Sequence, residues 1–432
     1  MGRRKPRDIL PAMVPLSMRP GRKRALLLFV SLSLTVLVSL VGIACTSATT
    51  TPPSYLQPKT VSVTLSAADL GAGGSTSPNI TSPCALVVNL DSGVVLYQRN
   101  PMDQRAMAST TKMMTAVVVL ESMELSTQVT ISQQVVDTWE KQKWVRPGDV
   151  LTVEQLLYAL MVPSANQAAV ALAQAYPGGE SAFVQRMNTK AAELGMTGTH
   201  YVNPHGLDPK GAQAGQHYST ARDLAILARY AMLDGPIGET FRKLVSTREY
   251  GLQIDGHEGV EVLQSTNELL NTLDWIIGVK TGETPEAKTC LVAAAERDGL
   301  RVLSVVLGQP EHARCFTESR TLLDYGLSQY SLATILEKGE AVAEAVIPFQ
   351  DESLRLVASE AVEAHLFKGQ SVTATMVIDR PVVLPVEAGE VFGRVELLVD
   401  GADAGSVDLV AEVSVGETTL GQKLSFWSSG SE

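Results

Sequence analysis

Three short stretches in a chain of 432 residues carry side chains able to do chemistry together: Ser109-Thr110-Thr111-Lys112, Ser164-Ala165-Asn166 and Lys280-Thr281-Gly282. A serine hydroxyl is a weak nucleophile and needs a base. Lys112 lies three residues on, on the same helix face, so its Nζ can meet the Ser109 Oγ. Lysine acts as a base only where burial or a second cation depresses its pKa. The run Met113-Met114-Thr115-Ala116-Val117-Val118-Val119 supplies the burial. Lys280, at the end of the apolar stretch Trp275-Ile276-Ile277-Gly278-Val279, can supply the cation. A charged lysine in a first helical turn opposes the helix dipole; a neutral one does not. Thr281 offers a hydroxyl to an anionic group, and Gly282 lets another backbone lie against its strand. Each stretch alone has a plainer reading: a capped helix with a solvated lysine, an N-cap at Ser164 or Asn166, a strand end. Ser-x-Asn also occurs at Ser77, in a linker-like stretch, and at Ser265, in a turn-like one. Only the Ser164 copy lies at a break between two apolar helices, just after Pro163, where a hydroxyl and an amide can face inward.

The elements that must position these groups are legible in outline. Residues 84–100 read as a β-hairpin turning at Asp91-Ser92-Gly93. Residues 151–162 have helical periodicity and stop at Pro163; residues 166–176 resume it and stop at Pro177-Gly178. Residues 219–233 form an amphipathic helix with Ser219 or Thr220 as its cap. Residues 273–282 and 288–308 are rich in β-branched residues and read as strands, and residues 319–330 as a last helix. Helices first and strands later, with one hairpin far upstream, predict one mixed sheet covered by helices. After about Glu337 the pattern changes to apolar–polar alternation with Gly and Pro turns, which predicts a small all-β domain over 337–420. Residues 421–432 form a tail too short to cross a membrane.

Length alone suggests two domains. Hydrophobic content of 45% and charged content of 19% describe a globular protein. The net charge of −11 argues against nucleic acid as a partner. No residue spacing suggests a metal site. Basic residues crowd residues 1–24, and an apolar run fills 25–45, which together read as a signal peptide or a single membrane anchor. Val41-Gly42-Ile43-Ala44 before Cys45 resembles a lipoprotein cleavage site, with Gly42 where a large aliphatic residue is expected. Each of these readings exports the rest of the chain. Residues 46–81 are rich in Thr, Ser, Pro, Gly and Ala and read as a flexible linker. Cys84, Cys290 and Cys315 are odd in number and read as buried free thiols.

In this order, on these elements, the three motifs match the set of class A β-lactamases and penicillin-binding proteins. Longer stretches narrow the match: "SGVVLYQRNPMDQRAMASTTKMMTA", "VEQLLYALMVPSANQAAVALA", "NPHGLDPKGAQAGQHYSTARDLA" and "IIGVKTGET". Over about 83–330 the chain resembles the low-molecular-mass penicillin-binding proteins, the serine-type D-Ala-D-Ala carboxypeptidases of peptidase family S11. The segment after 337 is similar to the C-terminal domain that many members carry. The resemblance implies an α/β (α+β) fold: a β-lactamase/transpeptidase-like domain over 82–336, with an antiparallel sheet covered by helices, then the small all-β domain. It implies that Ser109 attacks the carbonyl between the two terminal D-alanines of a peptidoglycan stem peptide, with Lys112 as base. Ser164, Asn166 and Lys280 relay the proton to the leaving D-alanine and position the peptide. Lys280 and Thr281 hold the terminal carboxylate, and the N–H groups of Ser109 and Glu283 form the oxyanion hole. Water releases the acyl-enzyme, and β-lactams acylate Ser109. The implied partners are stem peptides and β-lactams, with no nucleic acid, no cofactor and no metal. The implied location is the extracytoplasmic cell envelope, with the N-terminal segment as tether if the protein is anchored.

Four positions depart from the family pattern. Gln167 follows Asn166 where aspartate is common, and Glu283 follows Gly282 where an aromatic or histidine is common. Lys288 takes a glycine's place. The arginine that often holds the substrate carboxylate aligns near Arg314, one residue out of register, with Cys315 as the alternative occupant. His205, His217, Arg222 and Asp223 read as structural polar groups that fix the loop over the site. Two other functions compete. One is a class A-like β-lactamase, against which the extra β domain and the lack of a convincing deacylating glutamate weigh. The other is a cell-wall-binding scaffold whose carboxylate site has lost activity.

Overall fold

The computed structural model describes residues 60–64, 76–140, 143–233, 235–347, 353–367, 370–422 and 424. The basic N-terminus, the apolar run over 25–45 and Cys45 lie outside the described residues. Among the described residues, no helix is long and apolar enough to cross a membrane. The chain divides into two compact units, with a boundary in the sequence between Tyr330 and Ser331.

In chain order, the strand β1 (Thr60–Thr64) belongs to the second unit. The first unit opens with the hairpin β2 (Cys84–Asn89) and β3 (Val95–Arg99), followed by α1 (Lys112–Ser122). Next come β4 (Gln128–Thr130), α2 (Gln133–Asp137), β5 (Val150–Thr152), α3 (Val153–Met161), α4 (Asn166–Ala175) and α5 (Gly179–Glu193). It continues through α6 (Ala221–Met232), α7 (Gly238–Ser246), β6 (Glu249–Leu252), β7 (Glu261–Gln264) and α8 (Glu268–Thr272). It ends with β8 (Ile276–Thr284), β9 (Lys288–Arg297), β10 (Leu300–Gln309) and α9 (His312–Ser328).

The main sheet has the order β3-β2-β10-β9-β8, and every neighbouring pair is antiparallel. The mixed sheet predicted from the order of helices and strands is therefore corrected. Tight turns join β8 to β9 and β9 to β10, and antiparallel neighbours need nothing longer. The early hairpin enters beside β10, which puts sequence-distant strands in register. Alternate residues of these strands feed two different cores. Leu86, Val88, Cys290, Val292, Leu303 and Val305 pack with α1, α4 and α6. Ala85, Val87, Leu291, Ala293, Val302 and Val306 pack with α9. A sheet buried on both faces reads as nearly continuous apolar sequence, as β9 and β10 do. The hairpin turn falls where predicted: Gly93 takes φ +74°, and the Asn89 side chain accepts from the Ser92 N–H at 2.8 Å. Thr152 and Gln155 close a capping box on α3, and Thr220 rather than Ser219 caps α6.

In the second unit, the strands are β11 (Tyr330–Leu336), β12 (Ala341–Val346), β13 (Ser353–Ala358), β14 (Val362–Phe367), β15 (Ser371–Ile378), β16 (Val391–Val399) and β17 (Ala402–Ala411). Six strands form one sheet in the order β1-β15-β16-β17-β13-β12, and β11 pairs with β14. The linker expected over 46–81 is not patternless throughout. Thr60–Thr64 pairs antiparallel with β15, from Thr60 opposite Thr375 to Thr64 opposite Ser371. Its sequence, Thr-Val-Ser-Val-Thr, alternates with a period of 2 inside a stretch otherwise dominated by Pro, Ser and Gly.

Candidate active site

The Ser109-to-Lys112 motif starts in a 3₁₀ turn, Ala108–Thr111, that runs straight into α1 at Lys112. Neither threonine caps the helix. Thr110 Oγ1 donates to the Met107 carbonyl at 2.6 Å and Thr111 Oγ1 to the Ala108 carbonyl at 2.7 Å. The turn thereby holds Ser109 half-buried at its outer edge, while Lys112 is fully buried. Ordinary capping with a solvated lysine is excluded.

Lys112 Nζ has three neighbours: Ser109 Oγ at 2.7 Å, Asn166 Oδ1 at 2.7 Å and the His205 carbonyl at 2.8 Å. A neutral amine has two N–H donors and one lone pair. In that neutral form the two carbonyl oxygens accept the two N–H groups and the lone pair is left for the Ser109 hydroxyl; the charged form would donate to all three. Burial and the nearby charge of Lys280 both push the Lys112 pKa well below that of an ordinary lysine, while Glu140 opposes them. Lys280 is also buried, and burial brings its pKa down to about 7.

Ser164 stands in the left-handed region, at φ +67°, a conformation that costs a non-glycine residue about 1 kcal/mol or more. Asn166 begins α4, but its side chain does not cap it. The N-cap residue is Ala165, which makes no side-chain cap bond. The Asn166 Oδ1 is spent on Lys112, and its Nδ2 donates to the Trp139 carbonyl at 3.0 Å. The N-cap reading of this motif therefore fails. The Ser265 copy behaves as a turn: the Ser265 hydroxyl accepts from the Asn267 N–H, and the Asn267 side chain accepts from the Leu270 N–H at the start of α8.

Lys280, Thr281 and Gly282 lie on β8, the edge strand of the main sheet. A Cβ at Gly282 would stand 2.7 Å from the Ser109 backbone nitrogen, so only glycine lets β8 approach the nucleophile turn this closely. Thr281 Oγ1 lies 2.6 Å from Thr266 Oγ1. Glu283, exposed on the rim, faces His312 Nδ1 at 2.8 Å, and His312 Nε2 faces Glu268 Oε1 at 3.1 Å. Burial lowers the His312 pKa, but the hydrogen bonds that its ring N–H groups donate to Glu268 and Glu283 outweigh it and hold the group above an ordinary histidine.

The structure thus brings Ser109, Lys112 and Asn166 into one hydrogen-bonded cluster, with Lys280 and Gly282 beside it. Ser164 lies two residues before Asn166 in the chain. Arg314 is not drawn in. It pairs with Glu311 at 3.2 Å on the open side of α9, and Cys315 beside it is wholly buried. Lys288 takes φ +58°, a conformation favouring the glycine expected there. His217 is structural. Its Nδ1 accepts from the Val202 N–H at 3.1 Å, so its Nε2 carries the proton and meets Thr111 Oγ1 at 2.7 Å. Asp223 accepts from the Gly198 N–H and the Thr199 hydroxyl, both at 2.8 Å. The three cysteines are free and buried. Sequence reasoning missed Glu140, Thr266 and His312, none of which belongs to a motif. An open cleft of about 480 Å³ lies beside the Ser-Ala-Asn segment, lined by Glu140, Trp144, Pro163, Ala165 and Val262, among others.

Residues 72–311 match the family profile described as D-alanyl-D-alanine carboxypeptidase, peptidase S11. The chain belongs to the S11 D-Ala-D-Ala carboxypeptidase family. A second profile, the C-terminal domain of penicillin-binding protein 5, matches residues 330–417 of this S11 carboxypeptidase. Among curated relatives, the D-alanyl-D-alanine carboxypeptidase DacF of Bacillus subtilis is 31% identical over 326 residues, covering 73% of this chain and 81% of that protein. The D-alanyl-D-alanine carboxypeptidase of Streptomyces sp. strain K15 is 36% identical over 288 residues, covering 62% of this chain and 96% of that protein. The crystal structure of the Streptomyces K15 DD-transpeptidase superposes with a TM-score of 0.55 at 36% identity, covering 59% of this chain and all of that one. The activity is therefore that of a serine-type D-Ala-D-Ala carboxypeptidase acting on peptidoglycan stem peptides.

Proposed function

We propose that this carboxypeptidase removes the terminal D-alanine through an acyl-enzyme on Ser109. The observation that carries the reading is the contact set of Lys112 Nζ, which lies 2.7 Å from Ser109 Oγ, 2.7 Å from Asn166 Oδ1 and 2.8 Å from the His205 carbonyl. In the neutral amine the two carbonyl oxygens take both N–H groups and the lone pair is left for Ser109. Lys112 accepts the Ser109 proton as Oγ bonds to the carbonyl carbon between the two D-alanines. The electron pair of that carbonyl moves onto its oxygen, where the N–H groups of Ser109 and Glu283 stabilise it. As the pair returns, the C–N bond breaks, and the proton passes by way of Ser164 and Lys112 to the departing amine. Lys280 and Thr281 hold the terminal carboxylate, and a substrate carboxylate beside Lys280 favours its charged form. Asn166 fixes the Lys112 amine, and Gly282 keeps the substrate strand close. Arg314, paired with Glu311, is left outside this constellation. Water then attacks the ester, returning Ser109 and releasing the shortened peptide.

β-Lactams share the acylation step and form a Ser109 ester. Residues 25–45 act as export signal or membrane tether and residues 46–81 as linker apart from the paired strand Thr60–Thr64. The catalytic domain expected over 82–336 ends at Tyr330, and the β-rich domain expected over 337–420 begins at Ser331. The test is mass spectrometry of the protein after penicillin treatment, with D-alanine release from a D-Ala-D-Ala peptide followed in parallel. An adduct on Ser109 that is absent from Ser109→Ala, together with released D-alanine, supports the reading. A protein that takes no adduct is a scaffold. One that turns penicillin over rapidly without releasing D-alanine is a β-lactamase.

A further inference from the structure

The amide of Asn166 is fixed on both sides. Its oxygen accepts from Lys112 and its Nδ2 donates to the Trp139 carbonyl. Trp139 belongs to a strap, residues 132–140, that runs beside α4 and is bonded to it repeatedly. Ser132 Oγ donates to Gln174 Oε1 at 2.8 Å. Gln167 Nε2 donates to the Val136 carbonyl at 3.1 Å. The strap ends at Glu140, whose Oε2 accepts from the Asn166 backbone N–H and, at 3.3 Å, from the Gln167 N–H. These are the donors that a helix leaves without partners at its start. Ala165 cannot serve them, so the carboxylate of a distant loop takes the cap's place, where the helix dipole favours a negative charge.

Gln167 fits this arrangement where the family's more common aspartate would not. An aspartate there has no N–H for the Val136 carbonyl and would set a second carboxylate against Glu140. Glu140 also acts on Lys112 through space. The charged or titratable groups facing Lys112 are Lys280 on β8, Glu140 at the end of the strap, and His205 and His217 on the loops before α6. Both histidines are neutral at working pH: His217 Nδ1 and His205 Nδ1 each accept a backbone N–H. The balance at Lys112 is therefore between one cation, Lys280, and one anion, Glu140.

We propose that Glu140 is a positioning residue for acylation, locking the Ser-Ala-Asn segment so that the Asn166 amide is held against Lys112, and offsetting the field of Lys280 there. The proposal rests on Ser109 and Lys112 acting as described above. Two substitutions separate its two parts. Glu140→Ala removes both the acceptor and the charge. Glu140→Gln keeps an acceptor for the two N–H groups and removes only the charge.

The experiment measures the second-order rate of Ser109 acylation by a fluorescent penicillin in the full chain from pH 5 to 10, with a thermal melt of each variant. Glu140→Ala should acylate on the order of 10- to 100-fold more slowly, since a displacement of about 1 Å at a catalytic group costs about 100-fold. Glu140→Gln should recover the plateau rate to within about fivefold. Its acidic limb should move to lower pH, because Lys112 without a nearby anion loses its proton more readily. A merely structural role would not move that limb. The proposal is overturned if the Glu140→Gln limb stays in place, or if Glu140→Ala acylates at the wild-type rate. It is also overturned if acylation is unchanged and only the adduct lifetime grows, which would make Glu140 a deacylation residue. If Glu140→Ala does not fold, the limb of Glu140→Gln decides alone. A wild-type protein that takes no adduct refutes the nucleophile assignment and not this inference alone.

Discussion

Substituting Gly282 by alanine changes one atom at the closest approach between β8 and the nucleophile turn. The new Cβ would lie 2.7 Å from the Ser109 nitrogen, 3.0 Å from the Thr110 nitrogen and 3.1 Å from the Ala108 Cβ. Ordinary contact begins near 3.4 Å, so the strand and the turn must separate by about 0.7 Å along the first of these vectors. None of the three atoms belongs to a flexible side-chain end, so no rotamer change relieves the clash. Two backbones have to part: one carries Ser109, the other Lys280 and Thr281. Misplacement by about 1 Å is worth about 100-fold in rate, so a loss of about 10- to 100-fold in Ser109 acylation is expected. Overpacking should cost stability as well, about 1–3 kcal/mol. The assay is the acylation rate with a fluorescent penicillin, with a thermal melt on the same sample. Gly416→Ala serves as a control, because nothing lies within 4 Å of a Cβ there. A Gly282→Ala protein that acylates within twofold of wild type would refute the claim that this approach sets the geometry of the nucleophile.

Three further outcomes follow from the charges around the site. Lys280→Gln removes the cation that helps depress the Lys112 pKa, so the acidic limb of the acylation profile should move to higher pH, opposite to Glu140→Gln. His312→Gln leaves Glu283 and Glu268 uncompensated near the substrate carboxylate. The KM for a D-Ala-D-Ala peptide should then rise by about two- to fivefold, the scale of an exposed ion pair, and Glu283→Gln should reverse the rise. His217 has its pKa lowered from 6.5 to about 3, chiefly by burial and then by the positive fields of His200 and Lys112. Its unfolded form takes up a proton that the folded form refuses, so its stabilising contribution is complete above 6.5 and shrinks as pH falls towards 3. At pH 5 the loss is about 2 kcal/mol, from about 1.5 pH units at 1.36 kcal/mol each, or about 4–8 °C in a domain of this size. Melting curves between pH 7 and pH 5 should therefore fall more steeply for wild type than for His217→Asn.

The legible and illegible parts of this protein divide by the range of the interactions involved. Ser109 and Lys112 meet within one turn, so their spacing allows the contact and the three motifs together select it, and the hairpin turn at Asp91-Ser92-Gly93 is equally local. The apolar strands β9 and β10 announce their burial, yet they cannot announce their partners. Continuous apolar sequence is common to buried parallel and antiparallel strands, so it does not correct the mixed sheet that the order of helices and strands predicts; the family resemblance implies the antiparallel sheet that forms. Thr60–Thr64 was hidden by the composition around it, since five alternating residues weigh little within a Pro- and Ser-rich stretch. The rest of the site depends on contacts across long separations. Asn166 could be read as a helix cap because caps are usually supplied by the residue at the helix start. Here the carboxylate comes from Glu140, 26 residues upstream, which frees the Asn166 amide to orient Lys112. His312 reaches Glu283 across 29 residues, and Thr266 reaches Thr281 across 15. Each of these partners touches a motif residue without belonging to a motif. Motif order brings out Ser109, Lys112, Asn166 and Lys280, and the fold adds Glu140, Thr266 and His312, which touch motif residues from outside any motif.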